Sequence, residues 1–380
     1  MPDSLPELRI EIHKLGNRYL AAVRKPDGQE VLTNEFQHDP TGLTYLGPLW
    51  LVERSKLGPD ERHRIGSSLK SRTSKAEVAA HGWRLYHYLF GDGEDWHQFL
   101  TSHPEYTRCH LILRLSSDAA SLWRLPWEYI YDGREFPCLS GQMLISRTPE
   151  GLSALSTEVT KRPLRILLVI AQPDGQPPFD SGRELGVVQD ALGDAIASGM
   201  VEMDVLPEAT ATALLEAVQQ KTYHVIHYVG HGIYSLKEHQ GFLCLESEIG
   251  RTELASGMQL RRFLRGWAGG LFVISASQSA QIGVLDAFDH VAIELLRQDV
   301  PAVLSVPTSL DEKSTMALYR ALYTSLSDGR STIMSLHQSR LALKHQDEQA
   351  PTGQRRFNWG VPALYQRAPE QRLVEPSPPE

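Results

Sequence analysis

"LRILLVIAQP", residues 164–173, is a near-continuous apolar run that stops at a polar residue and a proline. Neither helical nor alternating periodicity shows in it. A short unbroken run of branched apolar residues is what a strand buried on both faces carries in a parallel sheet. Beyond residue 173 the chain keeps alternating between strand and helix. "RELGVVQDALGDAIASG" reads as an amphipathic helix that stops at Gly199. "VEMDVLP" is a strand, "TATALLEAVQQ" a helix and "HVIHYVGHG" a strand. "GFLCLESE" with "TELA" reads as a hairpin, "QLRRFLRGW" as a helix and "GGLFVISAS" as a strand. "DHVAIELLRQ", "AVLSVPTS" and two further helices, "STMALYRALYTSLSDG" and "TIMSLHQSRLALKHQ", complete the series. The succession predicts an α/β fold, a three-layer α/β/α sandwich around a mostly parallel sheet.

Before residue 164 the pattern differs. "LRIEIHKLGNRYLAAVRKPDGQEVLTNEF" alternates apolar and polar residues around Pro26-Asp27-Gly28, a hairpin signature. Residues 54–76 are polar and basic, and read as a loop or exposed helix; "AEVAAHGWRLYHYLFG" is a helix and "HLILRLSSD" a strand. We place a smaller mixed α+β domain at 1–150, with a polar boundary at 148–163, and the α/β domain at 151–367. The Pro-rich, acidic end, 368–380, is expected to be a disordered tail.

Bulk properties narrow the function. The 380 residues carry a formal net charge of -8, which disfavours nucleic acid as a direct partner. Cys109, Cys138 and Cys244 are scattered without a CxxC pair, so neither a zinc knuckle nor a disulfide framework is expected, and a cytoplasmic setting is. No apolar run reaches the roughly 18 residues of a membrane span. No signal peptide opens the chain, and no membrane partner is expected. Neither GxGxxG nor GxxxxGK[ST] follows a strand, which weakens a nucleotide-binding reading.

In open α/β sheets chemistry gathers at the carboxyl ends of the strands. Two ends stand out, "VGHG" at 229–232 and "SASQS" at 275–279. His231 lies between two glycines, which allow close approach and positive φ. An imidazole there can move protons near neutral pH, and the Gly232 N–H can face a developing oxyanion. A polar turn residue is the plainer reading of His-Gly alone. His224, His227 and His231 have helical spacing for a metal, but the segment has strand composition, so no metal site is expected. His224 and His227 read more simply as residues paired to backbone or packed under the sheet. Ser277 fails the Gly-x-Ser-x-Gly pattern, because Ser275 and Ser279 flank it.

Taken together, the two strand ends resemble those of caspase-like cysteine peptidases, the clan of caspases, separases and gingipains. "HVIHYVGHG", "GFLCL", "GLFVISASQSAQ" and "AFDHVAIELLRQDVPAVLSVPTSLDE" follow in the order of its bacterial CHAT branch. "LPWEYIYDG" and "RFNWGVPALYQR" fit as well. The resemblance implies His231 and residue 277 as catalytic pair, with the N–H groups of Gly232 and residue 277 as oxyanion donors. It implies no cofactor. The family has cysteine at 277, whereas this chain has serine, so the chain as written is expected to be inactive or very weak. Either a natural cysteine has been replaced or the protein is a pseudo-peptidase that works as an interaction module. In the loop "QPDGQPPFDSGRE", Asp174 or Asp180 could favour a basic residue before the cut; a solvated turn is the plainer reading. The resemblance further implies a dedicated protein substrate, gasdermin-like or another defence effector. It also implies a sensor or activator protein, in bacterial defence or programmed cell death. The N-terminal domain would be the regulatory or partner-docking part.

Overall fold

The structure is a computed structural model that describes residues 5–38, 74–123, 125–155, 158–235, 237–276, 284–306, 310–351 and 355–376. Most of the polar 54–76 segment and Ser277 lie outside the described residues. The chain forms two compact units. One comprises Leu5–Ile145 and Leu343–Val361; the other comprises Ser146–Ala342 and the chain from Pro362 onward.

In the first unit, β1 (Glu7–Leu15), β2 (Arg18–Arg24) and β3 (Glu30–Phe36) form an antiparallel meander. Gly16 and Asn17 close the first turn, since Leu15 pairs with Arg18. The Pro26-Asp27-Gly28 signature closes the second. Helix α1 (Lys75–Phe90) starts at a capping box made by Ser74 and Glu77 and buries Val78, Leu85, Tyr86 and Leu89. Helix α2 (Glu94–Ser102) follows, then β4 (Cys109–Leu115), which runs parallel to β1. The return segment contributes Trp359, packed on Tyr129 at 4.7 Å, and the Phe357 carbonyl, which accepts the Tyr129 hydroxyl at 2.6 Å.

The chain leaves this unit within β5 (Met143–Pro149). Among its described residues the second unit holds five parallel strands, β6 (Leu164–Ile170), β7 (Val201–Leu206), β8 (Val225–Gly230), β12 (Leu271–Ala276) and β13 (Ala302–Val306). Their order is β13–β12–β8–β6–β7, and β14 (Ala363–Gln366) adds antiparallel to β13. Helix α3 (Ser181–Ala197) links β6 to β7, and α4 (Ala211–Gln220) links β7 to β8. Strands β9 (Gly232–Ser235), β10 (Gln240–Glu246) and β11 (Thr252–Ala255) form a small antiparallel sheet after β8. Next come α5 (Gly257–Phe263) and α6 (Val284–Arg297), then α7 (Glu312–Ser327) and α8 (Thr332–Gln349), whose residues from Leu343 onward belong to the first unit. Helices α3 and α7 pack together, and α4, α5 and α6 pack in succession. His227 meets α7 while its neighbour Tyr228 meets β10, so alternation along β8 separates the two layers. This is the expected α/β/α sandwich around a mostly parallel sheet. No described helix is long and apolar enough to cross a membrane.

Three details differ from the sequence reading. The second unit starts at Ser146 rather than 151, because buried Arg147 of β5 pairs with Tyr365 of β14. "RFNWGVPALYQR" divides between the units at Val361/Pro362. Within the stretch read as a disordered tail, residues 368–376 are described and are held in place. Leu373 and Val374 are buried, Val374 bridges to Thr160, and Glu375 N–H donates to the Thr160 carbonyl at 2.9 Å. Burial of this apolar pair is joined by polar contacts, among them Gln371 Nε2 to the Gly270 carbonyl and Arg372 Nη1 to the Gly329 carbonyl.

Candidate active site

Strand order reverses at β6 and β8: β7 lies outside β6, while β12 and β13 extend beyond β8. The crevice at the carboxyl ends of these two strands is where such sheets bind ligands. His231 follows β8 there, and the loop 171–180 follows β6.

His231 is buried. Its Nε2 lies 2.8 Å from the Pro177 carbonyl. A carbonyl can only accept, so Nε2 carries the proton and the neutral ring keeps its lone pair on Nδ1. Burial lowers the His231 pKa, while the Pro177 carbonyl acts the other way by favouring the charged ring. Phe179 packs edge-on against the imidazole at 5.8 Å. The loop carrying both residues is fixed at several points. Gln172 N–H donates to Glu246 Oε1 (3.0 Å) and Gln172 Nε2 to the Phe179 carbonyl (2.8 Å). Asp174 N–H donates to the Gly250 carbonyl at 2.8 Å. Pro177 and Pro178 supply carbonyls without competing N–H groups. Sequence reasoning missed Pro177, since its role sits on a backbone atom. The adjacent prolines just past the first parallel strand were the available signal.

The His231 backbone is held as firmly. Its carbonyl accepts the Tyr228 hydroxyl (2.8 Å) and the Cys244 N–H (2.9 Å). Residues 231 and 244 are therefore the hydrogen-bonded pair, which makes Gly232–Leu243 the non-bonded one. The Gly232 N–H accordingly points away from β10. The flanking glycines are required by space, not by the positive φ that their freedom suggested. A Cβ on Gly232 would stand 2.5 Å from Phe288 Cε1, and one on Gly230 would run into the Tyr228 hydroxyl.

Strand β12 runs parallel to β8, with Ala276 opposite Gly230, and leads directly to residue 277. Asp180 and Asp174 are exposed. The Asp180 carboxylate caps α3 by accepting Arg183 N–H at 2.9 Å. His224 and His227 have the protein partners that the plainer reading gave them. His224 Nδ1 accepts Arg165 N–H at 2.8 Å and its Nε2 meets Thr160 Oγ1 at 2.5 Å. Among the described residues no cluster of potential metal ligands occurs.

A family model described as "CHAT domain" matches residues 92–369. Among solved structures, the chain is similar to the Saccharomyces cerevisiae separase–securin complex, with 10% identity and a TM-score of 0.43. That match covers 96% of this chain and 30% of the other, so the chain spans less than a third of its length. It is also similar to the complex of Porphyromonas gingivalis RgpB pro- and mature domains, with 9% identity and a TM-score of 0.40. That match covers 79% of this chain and 78% of the other. No curated protein matches the chain in sequence.

Proposed function

The chain belongs to the CHAT domain family, and from that premise we propose that it is a caspase-like cysteine-endopeptidase scaffold whose nucleophile position, 277, holds serine. The observation that carries this reading is the hydrogen bond from His231 Nε2 to the Pro177 carbonyl. It sets the tautomer and makes Nδ1 the proton-accepting atom, on the residue just past β8, the strand next to the one that leads to 277.

With a thiol at 277, His231 Nδ1 takes the thiol proton and the sulfur attacks the scissile carbonyl. The N–H groups of Gly232 and residue 277 hold the oxyanion. The imidazolium then gives its proton to the leaving amine, and water, deprotonated by the same nitrogen, releases the acyl group from the thioester. A serine hydroxyl is far less acidic than a thiol, and lowered basicity of the buried imidazole weakens its activation further. The chain with Ser277 therefore has little or no peptidase activity. Asp174, exposed on the loop that carries Pro177, favours a basic residue before the cut; Asp180 serves as a helix cap.

The substrate is a protein, and family membership supports a setting in bacterial defence, with a gasdermin-like or other effector cleaved on a signal from a sensor. The test is cleavage of a proteome-derived peptide library. Ser277→Cys should yield new termini that neither the Ser277 chain nor Ser277→Cys/His231→Ala yields. New termini made equally by all three would refute the reading. Ser277 itself favours a second reading, a non-catalytic protein-interaction module. Tight partner capture by the Ser277 chain, with no cleavage after Ser277→Cys, is the outcome that selects it.

A further inference from the structure

The two strands that carry the candidate site are tied together beneath it by a buried polar cluster. His227 on β8 is fully buried, and its Nε2 meets Ser275 Oγ of β12 at 3.0 Å. Its Nδ1 meets the Tyr323 hydroxyl of α7 at 3.0 Å. Ser275 Oγ is hydrogen-bonded in turn to the Tyr319 hydroxyl, also on α7. The Tyr319 ring stands edge-on to the imidazole at 4.6 Å. Ser275 pairs with Val229 and lies two residues before 277; His227 lies four before His231.

Burial pushes the His227 pKa down to about 3, so the ring is neutral at working pH. A neutral imidazole donates once and accepts once, so one of its two bonds is donated and the other accepted, while Ser275 Oγ serves both His227 and Tyr319. Burial raises the Tyr319 phenol, against a smaller lowering by its bond to Ser275, and the carboxylate of Glu184 on α3 adds to the rise. An apolar cluster of the same volume would pack here without having to satisfy four buried polar groups. The backbone ladder already fixes the register of β8 against β12; what the side-chain bonds add is a directional tie from both strands to α7, which apolar contacts would leave free to shift.

We propose that His227 is a positioning residue that ties β8 and β12 to α7, so that His231 and the side chain at 277 keep the relative placement their proton transfer needs. The proposal rests on the reading of the site given above. It is separable from stability, because the pH at which a thiol at 277 becomes reactive depends on its alignment with His231.

The experiment introduces Ser277→Cys and follows iodoacetamide alkylation at 277 against pH by peptide mass spectrometry. Cys109, Cys138 and Cys244 are buried and serve as internal controls. The midpoint is expected well below the roughly 8.5 of a free thiol, and His231→Ala should return it there. His227→Phe should move it at least about one pH unit toward 8.5, roughly a tenfold slower reaction on the acid side. His227→Gln, which can donate and accept, should recover part of the shift. Where His227→Phe does not fold, Tyr323→Phe and Ser275→Ala read the same midpoint, each deleting a single oxygen. Folded His227 variants with an unshifted midpoint overturn the proposal, as do unshifted midpoints in both single-oxygen variants. No change on His231→Ala refutes the site reading, and the clamp with it. A shift with His231→Ala but not with the His227 variants refutes the clamp alone.

Discussion

Acid should unfold this protein through its histidines well before its carboxylates titrate. Burial pushes His110 on β4 and His227 on β8 down to about 3 from an ordinary 6.5. The same cause brings His81 and His224 to about 4. With folded pKa values below unfolded ones, the unfolded chain binds more protons as pH falls below 6.5. The stability these rings contribute is therefore complete above 6.5 and is lost progressively from there toward 3 or 4. Between pH 7 and pH 5 each of these rings forfeits about 2 kcal/mol, so the first unit (His81, His110) and the second (His224, His227) forfeit about 4 kcal/mol each. That is a large fraction of the roughly 5–15 kcal/mol that holds a typical domain folded. Asp118 and Asp204, both held below the usual carboxylate range, act only below about 4 and leave the window to the histidines. Urea titrations followed by circular dichroism at pH 7 and pH 5 measure the loss. His227→Gln should reduce it by about 2 kcal/mol, one ring's share. Equal stability at the two pH values, or an undiminished loss in His227→Gln, would show that the buried rings do not discriminate against the proton as argued.

Three more outcomes test the local geometry. Tyr228→Phe removes the hydroxyl that reaches the carbonyls of His231 and Cys244; thermal melts should show a loss of about 1–2 kcal/mol. Gly232→Ala sets a methyl against Phe288, and calorimetry should report destabilisation of about 1–3 kcal/mol. Burial raises the Cys109 and Cys244 thiols to about 12, so a disulfide reagent at pH 8 should label neither until the chain is denatured; rapid labelling of the native protein would contradict their burial.

The second unit was largely legible because its central strands β6, β8 and β13 are buried on both faces and its helices carry clear stops. The run 164–173 became β6, and the helix read to a stop at Gly199 ends at Ala197, with Gly199 at φ +72°. Less legible were features that depend on where distant segments meet. Nothing local says that Phe357–Val361 packs with the first unit while Pro362 rejoins the second. Leu373 and Val374 look like tail residues until β-bridge and burial are seen. At the site, His231 was visible as a residue type, but the group that orients it is a backbone carbonyl. The glycines around it were legible as glycines, while the reason for them, the Phe288 ring and the Tyr228 hydroxyl, lies in residues that the sequence does not place beside them.

Peptidase chemistry on this scaffold depends most directly on the relation between His231 and residue 277. A crystal structure of the Ser277→Cys chain alkylated by a peptidyl chloromethyl ketone measures it. His231 Nδ1 should stand within about 3–4 Å of the new sulfur, with Nε2 still on the Pro177 carbonyl. An imidazole turned away from that sulfur, or one that reaches it with Nε2 while the Pro177 bond is lost, would contradict the proposed roles.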